Sequence, residues 1–213
     1  MQREDFMDYS KAIKELNLMQ QAYATFFTVT NKLQTLGDSY FDGLTARQYM
    51  VMLAIAHLPE DETTLVNIAK KLGTTKQSAN QLLANLESKG YLTAIPSKLD
   101  KRAKNMKITE SGKNVMLEYS EKGIEFFADI FNDFTCEELE TLWCLLQKLY
   151  QFDGEEQSGF EEDVNDKFAD LAGLQEAQMR ALEKFALRRI HSSDNNSEKD
   201  HTSKNELKGR GLI

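Results

Sequence analysis

The sequence predicts a mainly α-helical chain carrying one short β-hairpin, and three observations lead there. Two prolines and eleven glycines punctuate 213 residues, while Leu, Ala, Glu, Lys and Gln abound, which suits long helices and disfavours an all-β fold. Apolar residues recur at three- and four-residue steps along most of the chain, and only the stretch near 91–108 reads as paired strands. With 41% hydrophobic and 28% charged residues, the chain can bury an ordinary core as one or two domains.

Residues 6–36 set Phe6, Tyr9, Ile13, Leu16, Tyr23, Phe26, Phe27, Leu33 and Leu36 on one stripe, a long amphipathic helix for which Gly37 reads as the stop. Thr45 and Gln48 form a capping box opening a second helix, through Met50, Leu53 and Ile55 to Leu58 before Pro59. The acidic residues 60–62 are a loop. Leu65, Ile68, Ala69 and Leu72 mark a short third helix closed by Gly73, and Ala79, Leu82, Leu83 and Leu86 a fourth that ends at Gly90. Small Ala69 lets the two helices approach, Gly73 can supply a left-handed turn, and Ala79 and Leu82 pack back on the first: this is helix-turn-helix chemistry. A helix pair with a purely structural role is the alternative.

Residues 91–95 and 104–108 read as strands joined by a turn from Pro96 to Arg102. A helix-turn-helix followed at once by a basic hairpin is a winged helix. Thr109 then caps a fifth helix (Val115, Tyr119, Ile124, Phe127, Phe131), and Thr135 with Glu138 boxes a sixth (Leu139, Leu142, Trp143, Leu146, Leu149). Residues 160–190 again read helical, with a stripe of Phe160, Val164, Phe168, Leu171, Leu182 and Phe185 that must pack on something. Residues 191–213 read as a disordered tail.

Charge is unevenly spread. The chain carries −8, yet residues 64–110 hold nine Lys/Arg against three acids, a net +6 that leaves −14 for the rest. Such an island is the footprint of one surface that meets phosphates, or else a solvated lysine face. Residues 111–153 carry −6 and should lie away from a polyanion. The longest apolar run, residues 49–56, is far short of the roughly 20 residues of a membrane span, and no signal segment opens the chain, so a cytoplasmic protein with no membrane partner is expected. Cys136 and Cys144 stand eight positions apart in a helical stretch, about 12 Å by helical rise, too far for an intrachain disulfide. Three histidines in no ligand spacing make no zinc site. No cofactor is expected, and no Ser/His/Asp set or phosphate-cradling glycine loop suggests an enzyme.

The order of elements and the hairpin residues resemble the MarR family of dimeric winged-helix transcription regulators. Roughly residues 6–152 carry the resemblance. Its most specific parts are Leu86-Glu87-Ser88-Lys89-Gly90-Tyr91-Leu92, then Asp100-Lys101-Arg102-Ala103-Lys104, then Lys107-Ile108-Thr109-Glu110-Ser111-Gly112, where the family has an Asp-x-Arg in its wing and a Leu/Ile-Thr at the start of the next helix. The extension past Phe152 exceeds the usual family length. On this basis residues 1–43 form an N-terminal dimerisation helix and 44–110 a winged helix-turn-helix DNA-binding domain. Residues 111–153 complete the dimerisation bundle, 154–190 form a helical extension and 191–213 a tail.

The face that the apolar stripe of the fourth helix leaves free, Lys76, Gln77, Ser78, Asn80, Gln81 and Asn85, is the one to enter a major groove. Asn and Gln pair with adenine N6 and N7 where Arg would read guanine, so an A·T-leaning half-site is expected. The family commonly has an arginine near the position of Gln81, which is absent here. Arg102 falls at the family's wing arginine and is expected in a minor groove, oriented by Asp100; a plain surface ion pair of the two is the alternative. Lys98, Lys101 and Lys104 are expected on phosphates, and Thr64 and Thr75, at helix starts, are expected to offer backbone N–H groups there.

The resemblance further implies a homodimer on a pseudo-palindromic stretch of double-stranded DNA, a repressor by family habit, and relief by a small-molecule effector. No ligand box is legible: Tyr23, Phe26, Phe27 and Tyr49 could line a cleft, but such stripes are usually core. Cys136 opens a capped helix, a position that favours oxidation, although the family's peroxide-sensing cysteine lies near the first helix. A winged-helix module that binds another protein, with weak or no specific DNA affinity, is the alternative function.

Overall fold

The computed structural model describes residues 9–98, 100, 102–154, 160, 176 and 179–189. The expectations for Phe6, for Val164, Phe168 and Leu171, for Lys101 and for the tail 191–213 lie outside these residues. The chain divides into two compact units, Met1–Ala46 and Arg47–Ile213.

The first unit holds one long helix, α1 (Ser10–Tyr40). Gly37 is not its stop: helical bonding runs through it, and the Phe41 N–H still donates to the Gly37 carbonyl at 3.3 Å. Phe41 leaves the helix in extended geometry, and the left-handed residue comes later, at Gly43 with φ 89°. A glycine closes a helix only where it takes up that left-handed conformation, and Gly37 does not. Asp38 Oδ1 accepts the Ala46 N–H at 2.6 Å. Along α1, Tyr9, Ile13, Leu16, Tyr23 and Phe27 are all more than half exposed.

The second unit is built on α2 (Ala46–His57), α3 (Leu65–Lys71) and α4 (Lys76–Ser88). Val51, Met52, Ile55, Ile68, Ala69, Ala79, Leu83 and Leu86 are buried, as the periodicity of these helices requires. Thr64 and Thr75 are the N-caps of α3 and α4, their hydroxyls accepting the N–H of Asn67 and Ser78. Gly73 takes φ +58° in the turn and Gly90 φ +74° after α4, a conformation that a side chain disfavours. Gln48, expected in a capping box, is buried and reaches to α4: its Nε2 donates to Asn85 Oδ1 at 2.8 Å and its Oε1 accepts from Lys89 Nζ at 3.2 Å.

The wing is β1 (Leu92–Pro96) and β2 (Lys104–Ile108), antiparallel, with Leu92 opposite Ile108 and Pro96 opposite Lys104. Leu92 of β1 turns inward, and in β2 the adjacent Asn105 and Met106 are both buried. Pro96, expected in the turn, closes the ladder instead. The segment before α3 also joins the sheet, with Thr64 bridged to Asn105 and the Met106 N–H donating to the Thr63 carbonyl at 3.0 Å. This contact was not legible in the sequence, where the segment reads only as loop and cap.

Thr109 ties the wing to α5 (Glu110–Ile130). Its hydroxyl donates to the Gly90 carbonyl at 2.7 Å and accepts the Gly112 N–H at 3.1 Å, and its own N–H donates to the Tyr91 carbonyl at 3.0 Å. A Cβ on Gly112 would lie 2.3 Å from the Tyr91 carbonyl oxygen, so α5 starts in contact with the backbone ahead of β1. The expected capping box of Thr135 and Glu138 is present at the start of α6 (Cys136–Tyr150). Both cysteines are exposed and free.

The extension returns to this unit. Phe160 meets His57 edge-on, ring centroids 5.2 Å apart, and lies under Lys71 Nζ at 4.9 Å. Residues 179–189 are helical and run parallel to α5: Arg180 pairs with Glu121, Lys184 with Glu125 and Arg188 with Asp129. Each step is four residues on both helices, one turn apiece. Arg189 donates to the carbonyls of Phe131, Asn132 and Phe134 beyond the α5 end. The expected packing of Leu182 and Phe185 is not met. Both are exposed, because the face turned to α5 is made by cations and the buried Ala181. Among the described residues no helix is long and apolar enough to cross a membrane.

Candidate nucleic-acid interface

Helix α4 is amphipathic in a way that separates packing from presentation. Ala79, Leu83 and Leu86 are buried against the core, while Lys76, Gln77, Asn80 and Gln81 are exposed and Ser78 is partly so. The exposed set holds three carboxamides, Gln77 and the adjacent Asn80 and Gln81, each offering a donor beside an acceptor, and a cation in the first turn. Such a row can pair with base edges.

Asn85, one turn further on, stands apart. Its side-chain oxygen is held by Gln48, so its acceptor is committed within the protein and ties α4 to α2. Thr75 and Thr64 use their hydroxyls as caps, and the cap leaves the first N–H groups of each helix at a free end.

The wing turn is braced by its own polar groups. Asp100 Oδ1 accepts the backbone N–H of Arg102 at 2.8 Å, the Asp100 N–H donates to Ser97 Oγ at 3.3 Å, and the Ala103 N–H donates to the Asp100 carbonyl at 2.9 Å. Asp100 therefore holds the backbone at Arg102 rather than its guanidinium. Among the described residues the exposed Arg102 side chain makes no ion pair, with Asp100 or any other, so the surface pair of the two is not what forms. Lys98 and Lys104 are exposed on either side of the turn.

Not all of the basic island is presented. Lys71 is buried with its ammonium over the Phe160 ring, and Lys89 reaches back to Gln48. Sequence position alone could not separate these cations from the exposed ones. Tyr49, on α2, meets Tyr119 of α5 edge-on at 6.3 Å, and burial pushes its phenol up to about 12. It belongs to the packing.

A MarR family model matches residues 42–103, the span from the turn before α2 to the tip of the wing. Among solved structures, a cysteine-to-serine mutant of E. coli MarR complexed with operator DNA is similar at 25% identity, covering 62% of this chain and 96% of that one with a TM-score of 0.55. The MepR–DNA complex of S. aureus matches at 23% identity, 61% and 96% coverage and a TM-score of 0.55. A MarR/EmrR family transcriptional regulator from Acinetobacter sp. ADP1 matches at 22% identity, 63% and 95% coverage and a TM-score of 0.57. These chains are thus matched almost whole, while more than a third of this one has no counterpart in them. The chain shares the winged-helix fold of these structures, and residues 42–103 carry a match to the MarR family.

Proposed function

We propose that the protein is a sequence-specific DNA-binding transcription regulator that acts as a homodimer, represses from a pseudo-palindromic operator and is relieved by a small-molecule effector. The observation that carries the reading is the outward polar face of α4 beside a wing whose Arg102 is left unpaired. Asn80 and Gln81 read base edges in the major groove, with Lys76, Gln77 and Ser78 around them. Arg102 enters the adjacent minor groove. Lys98, Lys101 and Lys104 neutralise phosphates, and the N-termini capped by Thr64 and Thr75 add backbone donors. That E. coli MarR and S. aureus MepR, similar in fold, were solved with DNA supports this assignment.

One such domain makes few contacts, and two on one duplex need a shared interface. The exposed apolar side chains of α1, with Trp143, Leu145 and Leu149 of α6, supply the kind of surface that a second copy covers. The test is binding to the DNA upstream of the protein's own gene across a salt series. Wild type is expected to show a steep log–log slope, and Arg102→Ala a weaker affinity with a slope shallower by about one counterion. Weak, sequence-blind binding by both would favour a protein-binding module instead.

A further inference from the structure

The polar row on α4 does not end at Gln81. Gln81, Asn85 and the C-cap residue Lys89 follow one another at four-residue steps, so they share one side of the helix. Asn85 is exposed. Behind it the buried Gln48 of α2 stands between Asn85 and Lys89, its Nε2 2.8 Å from Asn85 Oδ1 and its Oε1 3.2 Å from Lys89 Nζ.

These three groups can bond in one direction only. An ammonium donates and never accepts, so the Gln48 oxygen must face Lys89 and its amide nitrogen must face Asn85. Only the Asn85 oxygen can receive that nitrogen. A carboxamide alone could sit either way round, yet here a charge at one end of the relay decides the orientation of an amide at the other. Asn85 is left with Oδ1 engaged inside and Nδ2 as its outward end, whose N–H groups meet no acceptor among the described residues. It therefore differs from Asn80 and Gln81. The paired bonds to adenine N6 and N7 need a donor beside an acceptor, and Asn85 can only donate.

We propose that Lys89 and Gln48 are positioning residues that fix Asn85 as a donor-only contact to DNA. Asn85 Nδ2 donates to an acceptor atom of the duplex, which is either a phosphate oxygen or the major-groove edge of guanine or thymine, where the polar atoms are acceptors alone. This rests on the DNA-binding reading. The relay itself is read with no DNA present, so the two can fail separately.

The experiment uses the full-length protein and Gln48→Glu, which keeps the side-chain shape but only accepts, from Lys89 on one side and from Asn85 Nδ2 on the other. That turns the Asn85 carboxamide over. Exchange of side-chain amide protons with water, followed by NMR, is expected to show Gln48 protected and Asn85 open in wild type. In the variant, Asn85 exchange is expected to slow about tenfold, while Lys89→Arg, still a donor only, keeps the wild-type pattern. Should Gln48→Glu fold poorly, Lys89→Glu, at an exposed residue, inverts the relay from its other end with the same result. Selection from a randomised duplex then separates the two acceptors. With a base, Gln48→Glu moves the preference at one pair of each half-site from guanine or thymine to cytosine or adenine, which present an amino group. With a phosphate, affinity falls about tenfold for every sequence and the preferences stay. An Asn85 amide still open in both inverted variants, or one that becomes protected with affinity and preference unchanged, would overturn the proposal. A wild type that binds no duplex would overturn the DNA reading and this contact with it, and the exchange data would still report the relay.

Discussion

Gln48 of α2 donates its side-chain amide to Asn85 Oδ1 of α4 at 2.8 Å, so the last turn of α4 is held by the helix behind it. Gln48 is buried, and removing its partner leaves a polar group without compensation, a loss of about 1–3 kcal/mol. Asn85→Ala is therefore expected to lower the urea midpoint. Asn80→Ala and Gln81→Ala, on the exposed face, are expected to change it by less than about 0.5 kcal/mol. Equal midpoints for all three would contradict the division between packing and presentation along α4.

Gly112 is the tightest backbone contact at the wing. A methyl there meets the Tyr91 carbonyl oxygen at 2.3 Å and Ile108 Cγ2 at 2.9 Å, and neither lies at the end of a flexible side chain. Gly112→Ala is expected to destabilise the fold by about 1–3 kcal/mol through overpacking, despite the better helix propensity of alanine. Thermal unfolding checks it, and an unchanged or raised midpoint would mean that α5 can shift freely.

The sequence showed the elements because each has a local cause: a threonine cap before α3, α4, α5 and α6, glycines at 73 and 90, and an apolar face on each helix of the winged domain. It misplaced the end of α1, since nothing local distinguishes Gly37 inside a helix from a glycine that closes one. The exposed residues of α4 were legible by subtraction from its apolar stripe. What was not legible depends on contacts far apart in the chain: Asn85 with Gln48, Lys71 with Phe160, Thr64 with Asn105, and the cationic face of 179–189 against α5. The stripe rule failed at Leu182 and Phe185 because charge, not apolar surface, holds that helix to its neighbour.

Ion pairs on a surface are individually weak, about 0–1 kcal/mol, and screened by salt. The helix at 179–189 is expected to lose amide protection as salt rises, while α4 does not. Arg189→Ala is expected to increase exchange at the end of α5, where three carbonyls lose their donor. Salt-independent protection of 179–189 would show that apolar contacts hold it.

Tyr49 gives the fold an alkaline limit. Its phenol, held neutral by burial, ionises near 12 against an ordinary 10.0. Below the ordinary value both states are neutral and the contribution is complete. As pH climbs from there to the folded value, the unfolded chain ionises first and stability falls. Tyr49→Phe is expected to flatten that part of the decline, read as urea midpoints over the alkaline range. Parallel curves for the two proteins would contradict it.

The central claim is that the exposed carboxamides of α4 read bases, and the most direct measurement is selection of bound sequences from a randomised duplex by wild type and by Gln81→Ala. A two-fold symmetric preferred site is expected for wild type, and in the variant a loss of preference confined to one or two base pairs in each half-site, about 1–3 kcal/mol per pair. Identical preferences for the two proteins, or no preferred sequence for either, would contradict it.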